Sequence, residues 1–214
     1  MQKSSFLFLL ILAGVALIGA YQALSDNASS VAIVRFLALS AFFLLCVSLM
    51  IGPLAVLRGP IFAQLIEPRR AVGVAAFVFA ALHSSLVLSL YFNWNIGNVI
   101  SMLPLAIAIP AYVILLAMAL TSTDWAVAKL GLAKWKTLHR FVYIAFILIF
   151  AHFILKSNGL YSRGSASVPL NIAEVALVLL GIATVILQVA GFFIFSKRKA
   201  ASVQPQNQSS PERI

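Results

Sequence analysis

Acid and sulfur are the scarce chemistries in this chain. Only 5 of its 214 residues are Asp or Glu, and Cys46 is the single cysteine. One cysteine excludes an intramolecular disulfide and any thiolate metal cluster, which leaves Cys46 as a buried structural thiol. The interiors of the apolar segments carry no carboxylate. Proton and hard-cation pathways recruit Asp or Glu inside the membrane, so this absence weighs against a histidine-using metal or proton transporter. There is also no Gly-x-Gly-x-x-Gly run after a strand, no phosphate loop, and no polar segment able to fold into a dinucleotide-binding domain. Electrons moving through such a chain must be delivered by another protein. No nucleophile–base arrangement is legible, so nothing marks a self-contained catalyst.

What fills the sequence instead is hydrocarbon. Hydrophobic residues make up 63% of the chain and charged residues 9%, a balance foreign to soluble domains. Six stretches reach the roughly 20 apolar residues that a bilayer span requires, near 5–24, 31–57, 71–94, 99–120, 137–156 and 171–195. Backbone polar groups in lipid must be satisfied internally, so these are helices. The expected fold is an all-α polytopic membrane protein, a six-transmembrane-helix bundle over residues 1–200, with a polar, disordered tail at 201–214. The first stretch has a Lys3 flank and small residues at Gly19 and Ala20, as a secretory signal does. Its apolar run exceeds the roughly 7–15 residues of a signal core and reads as an anchor.

Basic residues set the expected orientation. With both termini cytoplasmic, 12 of the 15 Lys and Arg residues fall inside, and only Arg35, Lys156 and Arg163 fall outside. The net charge of +10 then reads as a topology signal with affinity for anionic lipid in the bilayer. The cations are scattered over several membrane edges, so nucleic-acid binding is a poor reading.

All three histidines sit in or beside apolar helical stretches, where an unpaired polar group is costly. His83 lies thirteen residues beyond Arg70, and His152 lies thirteen beyond His139. At 1.5 Å rise per residue, His83 and His152 stand roughly 20 Å from the basic edges of the third and fifth segments, at matched depth. Two imidazoles at one level on parallel helices suit bis-histidine ligation of haem iron, placing haem between the third and fifth helices. His139 is less determined. An ideal helix sets its ring roughly 140° away from that of His152, and the third segment offers Arg69 or Arg70 rather than histidine at its level. It reads either as ligand of a second haem with a different opposite ligand, or as an interfacial side chain. Arg69, Arg70 and Arg140 pair with haem propionates on one reading and mark the inner membrane edge on the other. Trp94 and Trp135 read as interfacial belt residues, Asp124 as a helix N-cap or a docking point for a donor, and Gly73 as a close-approach position.

The ordered set Leu120, Thr121, Ser122, Thr123, Asp124, then Leu130, Gly131, Trp135, then Leu138, His139, Arg140, Phe141, Val142, Tyr143, and finally His152, Phe153 resembles the ferric-reductase-like transmembrane domain. More closely it resembles the haem-binding membrane subunits of bacterial methionine sulfoxide reductase systems. Arg69, Arg70, Gly73, Leu82 and His83 fit the same pattern, so the likeness covers about 68–156. The resemblance implies a six-helix protein of the bacterial inner membrane carrying haem b, one group or two, with FMN also associated with the family. It implies electrons arriving from a cytosolic flavin reductase and leaving to a periplasmic molybdenum-dependent methionine sulfoxide reductase. Reduction of ferric iron or another small acceptor at the outer face is the alternative. The chain departs from the family at Val34–Leu39 and at Ile51, Gly52, Pro53, where Thr-Pro-Leu is more usual than Gly-Pro-Leu.

Overall fold

In the computed structural model, which describes residues 11–20, 22, 29–58, 65–66, 68–157 and 172–203, the chain is helical throughout the described segments. In order these are α1 (Ile11–Ala20), α2 (Ser29–Arg58), α3 (Arg69–Phe92), α4 (Ile96–Ile100), α5 (Leu103–Leu120), α6 (Asp124–Leu130), α7 (Leu132–Arg140), α8 (Val142–Ser157) and α9 (Ile172–Val203). Five helical spans among them are long and apolar enough to cross a membrane, α7 and α8 counting as one. The first expected span is described only in part, as α1. The stretch 158–171, with Arg163, lies outside the described residues, as does 204–214. α9 continues to Val203, into the stretch expected to be tail.

Local chemistry explains where the helices stop. α3 ends at Asn93 (φ 45°, ψ 42°), and Trp94 closes the end with an N–H···O bond of 2.9 Å to Leu88. Asn tolerates this left-handed conformation better than most residues. The fourth expected span begins instead as two pieces. Asn95 caps the short α4 by accepting from the Asn98 N–H, and α5 then starts afresh with Pro104 in its first turn. Proline fits there because a first-turn N–H has no helical partner to lose. Thr123, not Asp124, is the N-cap of α6. Its extended backbone (φ −114°, ψ 154°) lets the hydroxyl accept from the Ala126 N–H, and Asp124 becomes the first helical residue. Gly131, at φ 75°, makes the turn into α7 that a side chain would disfavour. Between α7 and α8 the helix tightens at Phe141, whose N–H bonds three residues back to Leu138.

The packing forms two groups. α2 is the central, most buried helix and packs along α3 on one side and α9 on the other, while α5 packs along α8. Leu39, Phe42, Leu45, Cys46 and Leu49 of α2 supply much of the core. Cys46 is fully buried and free. Backbones of the two groups scarcely meet; in particular α3 and α8 make almost no backbone approach to one another. The seam is bridged by rings. Phe42 of α2 stacks against Phe146, Phe150 and Phe153 of α8 with centroids 6.0, 5.7 and 4.9 Å apart.

Candidate haem site

The helices give the bundle a basic end and an opposite end. Arg69, Arg70 and Arg198 gather at one: Arg70 reaches Asp124 at the start of α6, and Arg198 donates to the Val56 carbonyl near the end of α2. His83 and His152 lie at the other, one on each side of the seam. His83 Nδ1 is 3.0 Å from the Val34 carbonyl of α2, and His152 Nδ1 is 2.6 Å from the Pro104 carbonyl of α5. A carbonyl only accepts, so in both rings Nδ1 carries the proton and Nε2 keeps its lone pair. Metal-ligating histidines show this arrangement, in which the second-shell bond fixes tautomer and ring orientation. Both rings are half-buried. Lys156 lies one turn beyond His152 on α8. It was read from the sequence only as an outer-edge charge.

α3 and α8, which carry the two imidazoles, make almost no backbone approach to one another. Bis-histidine ligation of a haem takes one imidazole nitrogen from each side of the iron, and this donor set fits that chemistry. The residues present fit a metal ion held by protein side chains alone less well, because among the described residues no cluster of three or more His, Cys, Asp or Glu occurs.

His139 forms a separate constellation at the basic end. Its Nδ1 donates to the Trp135 carbonyl one turn back at 3.1 Å, and its Nε2 is buried with no hydrogen-bond partner. An orphaned buried nitrogen of this kind calls for an explanation, and an absent ligand is one. The Trp135 ring stacks on the imidazole at 3.9 Å between centroids. Trp135 itself is anchored by its indole N–H to the Thr121 carbonyl at 2.9 Å, so it is more than the interfacial belt residue expected. Arg70 lies over the same indole at 5.4 Å and pairs with Asp124 at 2.7 Å. That ion pair is 38% and 99% exposed on its two sides, which limits its worth to roughly 0–1 kcal/mol. Arg69 and Arg70 both lie near enough to act electrostatically on His139. Arg140 is exposed. The Phe42, Phe146, Phe150 and Phe153 cluster runs along α8 from beyond His139 to the residue after His152. Phe42 was not singled out from the sequence, since its partners are more than a hundred residues away.

Comparison with known proteins places the chain in a family. The family described as ferric reductase like transmembrane component matches residues 32–150, more than half of the chain. Among curated relatives, the heme-binding subunit MsrQ of protein-methionine-sulfoxide reductase from Bordetella pertussis is 34% identical over 64% of this chain and 66% of its own length. The MsrQ subunit from Agrobacterium fabrum is 30% identical over 59% of each. The magnetosome protein MamZ of Magnetospirillum gryphiswaldense is 33% identical over 58% of this chain and 19% of its own length. The chain thus spans about three fifths to two thirds of these MsrQ relatives and about a fifth of MamZ. No solved structure matches it.

Proposed function

The chain belongs to the ferric reductase like transmembrane component family and is related to MsrQ, and we propose that it is a haem b-carrying electron conduit across a bacterial inner membrane. On this reading His83 and His152 are the axial ligands of one iron, held between the third and fifth of six membrane helices. The observation that carries it is the pair itself. Two imidazoles stand on helices that make almost no backbone approach to one another, each with Nδ1 tied to a carbonyl, which leaves Nε2 as the nitrogen a ligand would use. Bound haem supplies a one-electron carrier, and the protein sets its potential through ligands and burial.

His139 is the proposed anchor of a second carrier at the basic end, a second haem or FMN, its ring oriented by Trp135. Arg70 and Arg140 supply positive charge for propionate or phosphate there. Both termini are cytoplasmic on this reading, so the basic end receives electrons from a cytosolic flavin reductase. The opposite end delivers them to a periplasmic acceptor. Relatedness to MsrQ supports a molybdenum-dependent methionine sulfoxide reductase in that role. The family likeness to ferric reductases supports a second reading, in which iron or another small acceptor is reduced directly at that face.

Spectroscopy of the purified chain tests the core of the proposal. The wild type should carry a reducible, six-coordinate low-spin b-type haem. His83→Ala and His152→Ala should each lose that signal while still inserting into the membrane. An unchanged low-spin spectrum and normal haem content in either variant would sink the pairing.

A further inference from the structure

At the basic end, between α2 and α9, lies a cavity of about 640 Å³ that the electron-transfer reading does not use. It falls within the roughly 300–1,000 Å³ range of small-ligand sites. His139 is not among its lining residues. Its walls are mostly apolar, contributed by Pro53 and Val56 of α2 and by Phe192 and Phe195 of α9. Among the described lining residues Arg69 alone is charged, and no carboxylate among the described residues pairs with it. The Gln188 amide, also in the wall, is committed to the Leu49 carbonyl at 2.7 Å.

Two glycines shape the cavity. A Cβ at Gly52 would meet Arg69 Nη1 at 3.1 Å, so the missing side chain is what lets the guanidinium lie against α2. A Cβ at Gly191 would meet Pro53 Cβ at 3.0 Å and Cα at 3.2 Å, so glycine there permits the close approach of α9.

We infer that this groove binds one anionic phospholipid, its phosphate on Arg69 and an acyl chain along the phenylalanine wall. The charge argument selects the headgroup. A neutral amphiphile would leave Arg69 with no anionic partner among the described residues, and a zwitterionic one brings an ammonium that competes with Arg69 for the phosphate. The apolar wall selects a lipid over a soluble anion. Phe192 and Phe195 are 68% and 59% exposed, opening the groove sideways to hydrocarbon. Arg198 stands at the same rim, where a basic cluster beside a membrane edge favours anionic headgroups.

Native mass spectrometry of the full-length chain, released from detergent with equimolar phosphatidylglycerol and phosphatidylcholine of identical acyl chains, reads this directly. The wild type should retain one phosphatidylglycerol in roughly tenfold preference, the scale of one charge-assisted contact. Arg69→Gln should abolish the preference. Gly52→Thr, which crowds the guanidinium without removing its charge, should reduce it severalfold. Lys129→Gln, a cation on α6 outside the groove, should leave it unchanged. Equal retention of the two lipids by the wild type would overturn the inference. So would an intact preference in Arg69→Gln or Gly52→Thr, or displacement of the lipid by inorganic phosphate, which would make the groove a soluble-anion site. Each variant reads the groove separately, and none of these outcomes depends on haem content.

Discussion

Replacing Trp135 by Phe separates the two things this residue does. The indole N–H donates to the Thr121 carbonyl at 2.9 Å, and the ring stacks on His139 at 3.9 Å. Phenylalanine keeps a ring and deletes the donor. The lost bond is worth about 1 kcal/mol, and leaving its acceptor half-buried adds a fraction of the roughly 1–3 kcal/mol penalty for an unsatisfied group. Thr121 is only partly buried, so water recovers some of that cost and the net loss should be about 1–2 kcal/mol. For a chain of this length that lowers the melting midpoint by roughly 2–8 °C. Trp135→Leu also removes the stacking, about 0.5–1.5 kcal/mol, and the Arg70 contact, about 0.5–1 kcal/mol at an exposed site. It should therefore melt clearly below Trp135→Phe. Combining Trp135→Leu with His139→Ala tests whether the contact is energetic: a coupling of roughly 0.5–1.5 kcal/mol is expected for residues in contact. Strict additivity in that cycle, or a Trp135→Leu midpoint equal to wild type, would refute the role of Trp135 as the support that orients His139.

Three other outcomes follow from the same geometry. Reporter fusions after Arg163 should be exported and fusions after Arg198 retained in the cytoplasm; reversed activity at both sites would refute the proposed orientation. Asp124→Asn should change the melting midpoint very little, because its partner Arg70 is partly solvated and Asp124 fully so; a drop of more than about 5 °C would mean the pair does more than its exposure allows. His139→Ala should keep most of the low-spin signal assigned to His83 and His152 while slowing reduction by a cytosolic flavin reductase at least tenfold, with dithionite still effective; reduction by the flavin donor at the wild-type rate would make His139 a bystander.

Much of this architecture was legible because hydrocarbon thickness imposes a length on every span, and that length is written in the sequence as uninterrupted apolar runs. The second, third and sixth expected stretches differ from α2, α3 and α9 by only a few residues at most ends. Hydropathy is blind where polarity does not change. The fourth stretch looked continuous, yet it breaks at Ser101 and Met102 before Pro104 restarts the helix. The fifth begins at Leu132 rather than Thr137, since α7 is amphipathic and its Lys134 and Lys136 suppress the average. The N-cap was displaced by one residue because Thr123 and Asp124 are both good caps, and only the backbone angles choose between them. The expected matched depth of His83 and His152 comes from helix rise, which is a local property. The carbonyls that hold these rings and Trp135 could not be read in advance: Val34, Pro104 and Thr121 act through the backbone, which carries no signature of residue type, and lie 14 to 49 positions from their donors.

The placement of aromatic residues bears on how such a chain would carry charge. His83 lies thirteen residues, or roughly 20 Å, from the basic edge of its helix, so a single carrier at that level would stand far from any soluble donor at the basic end. On the proposed reading His139 shortens the gap, since its unpartnered Nε2 offers a ligand near that edge. Along the seam between the two helix groups the core does not close over with aliphatic side chains alone: Phe42 stacks nearly parallel to three rings of α8, from Phe146 to Phe153 beside His152, at interplanar angles of 9° to 15°. Aromatic pairs usually prefer offset or edge-to-face arrangements, and Phe36 with Phe79 adopts the latter at 73°. The parallel rings join two helix groups whose backbones stay apart, so that side chains rather than close helix packing close the interior along this seam.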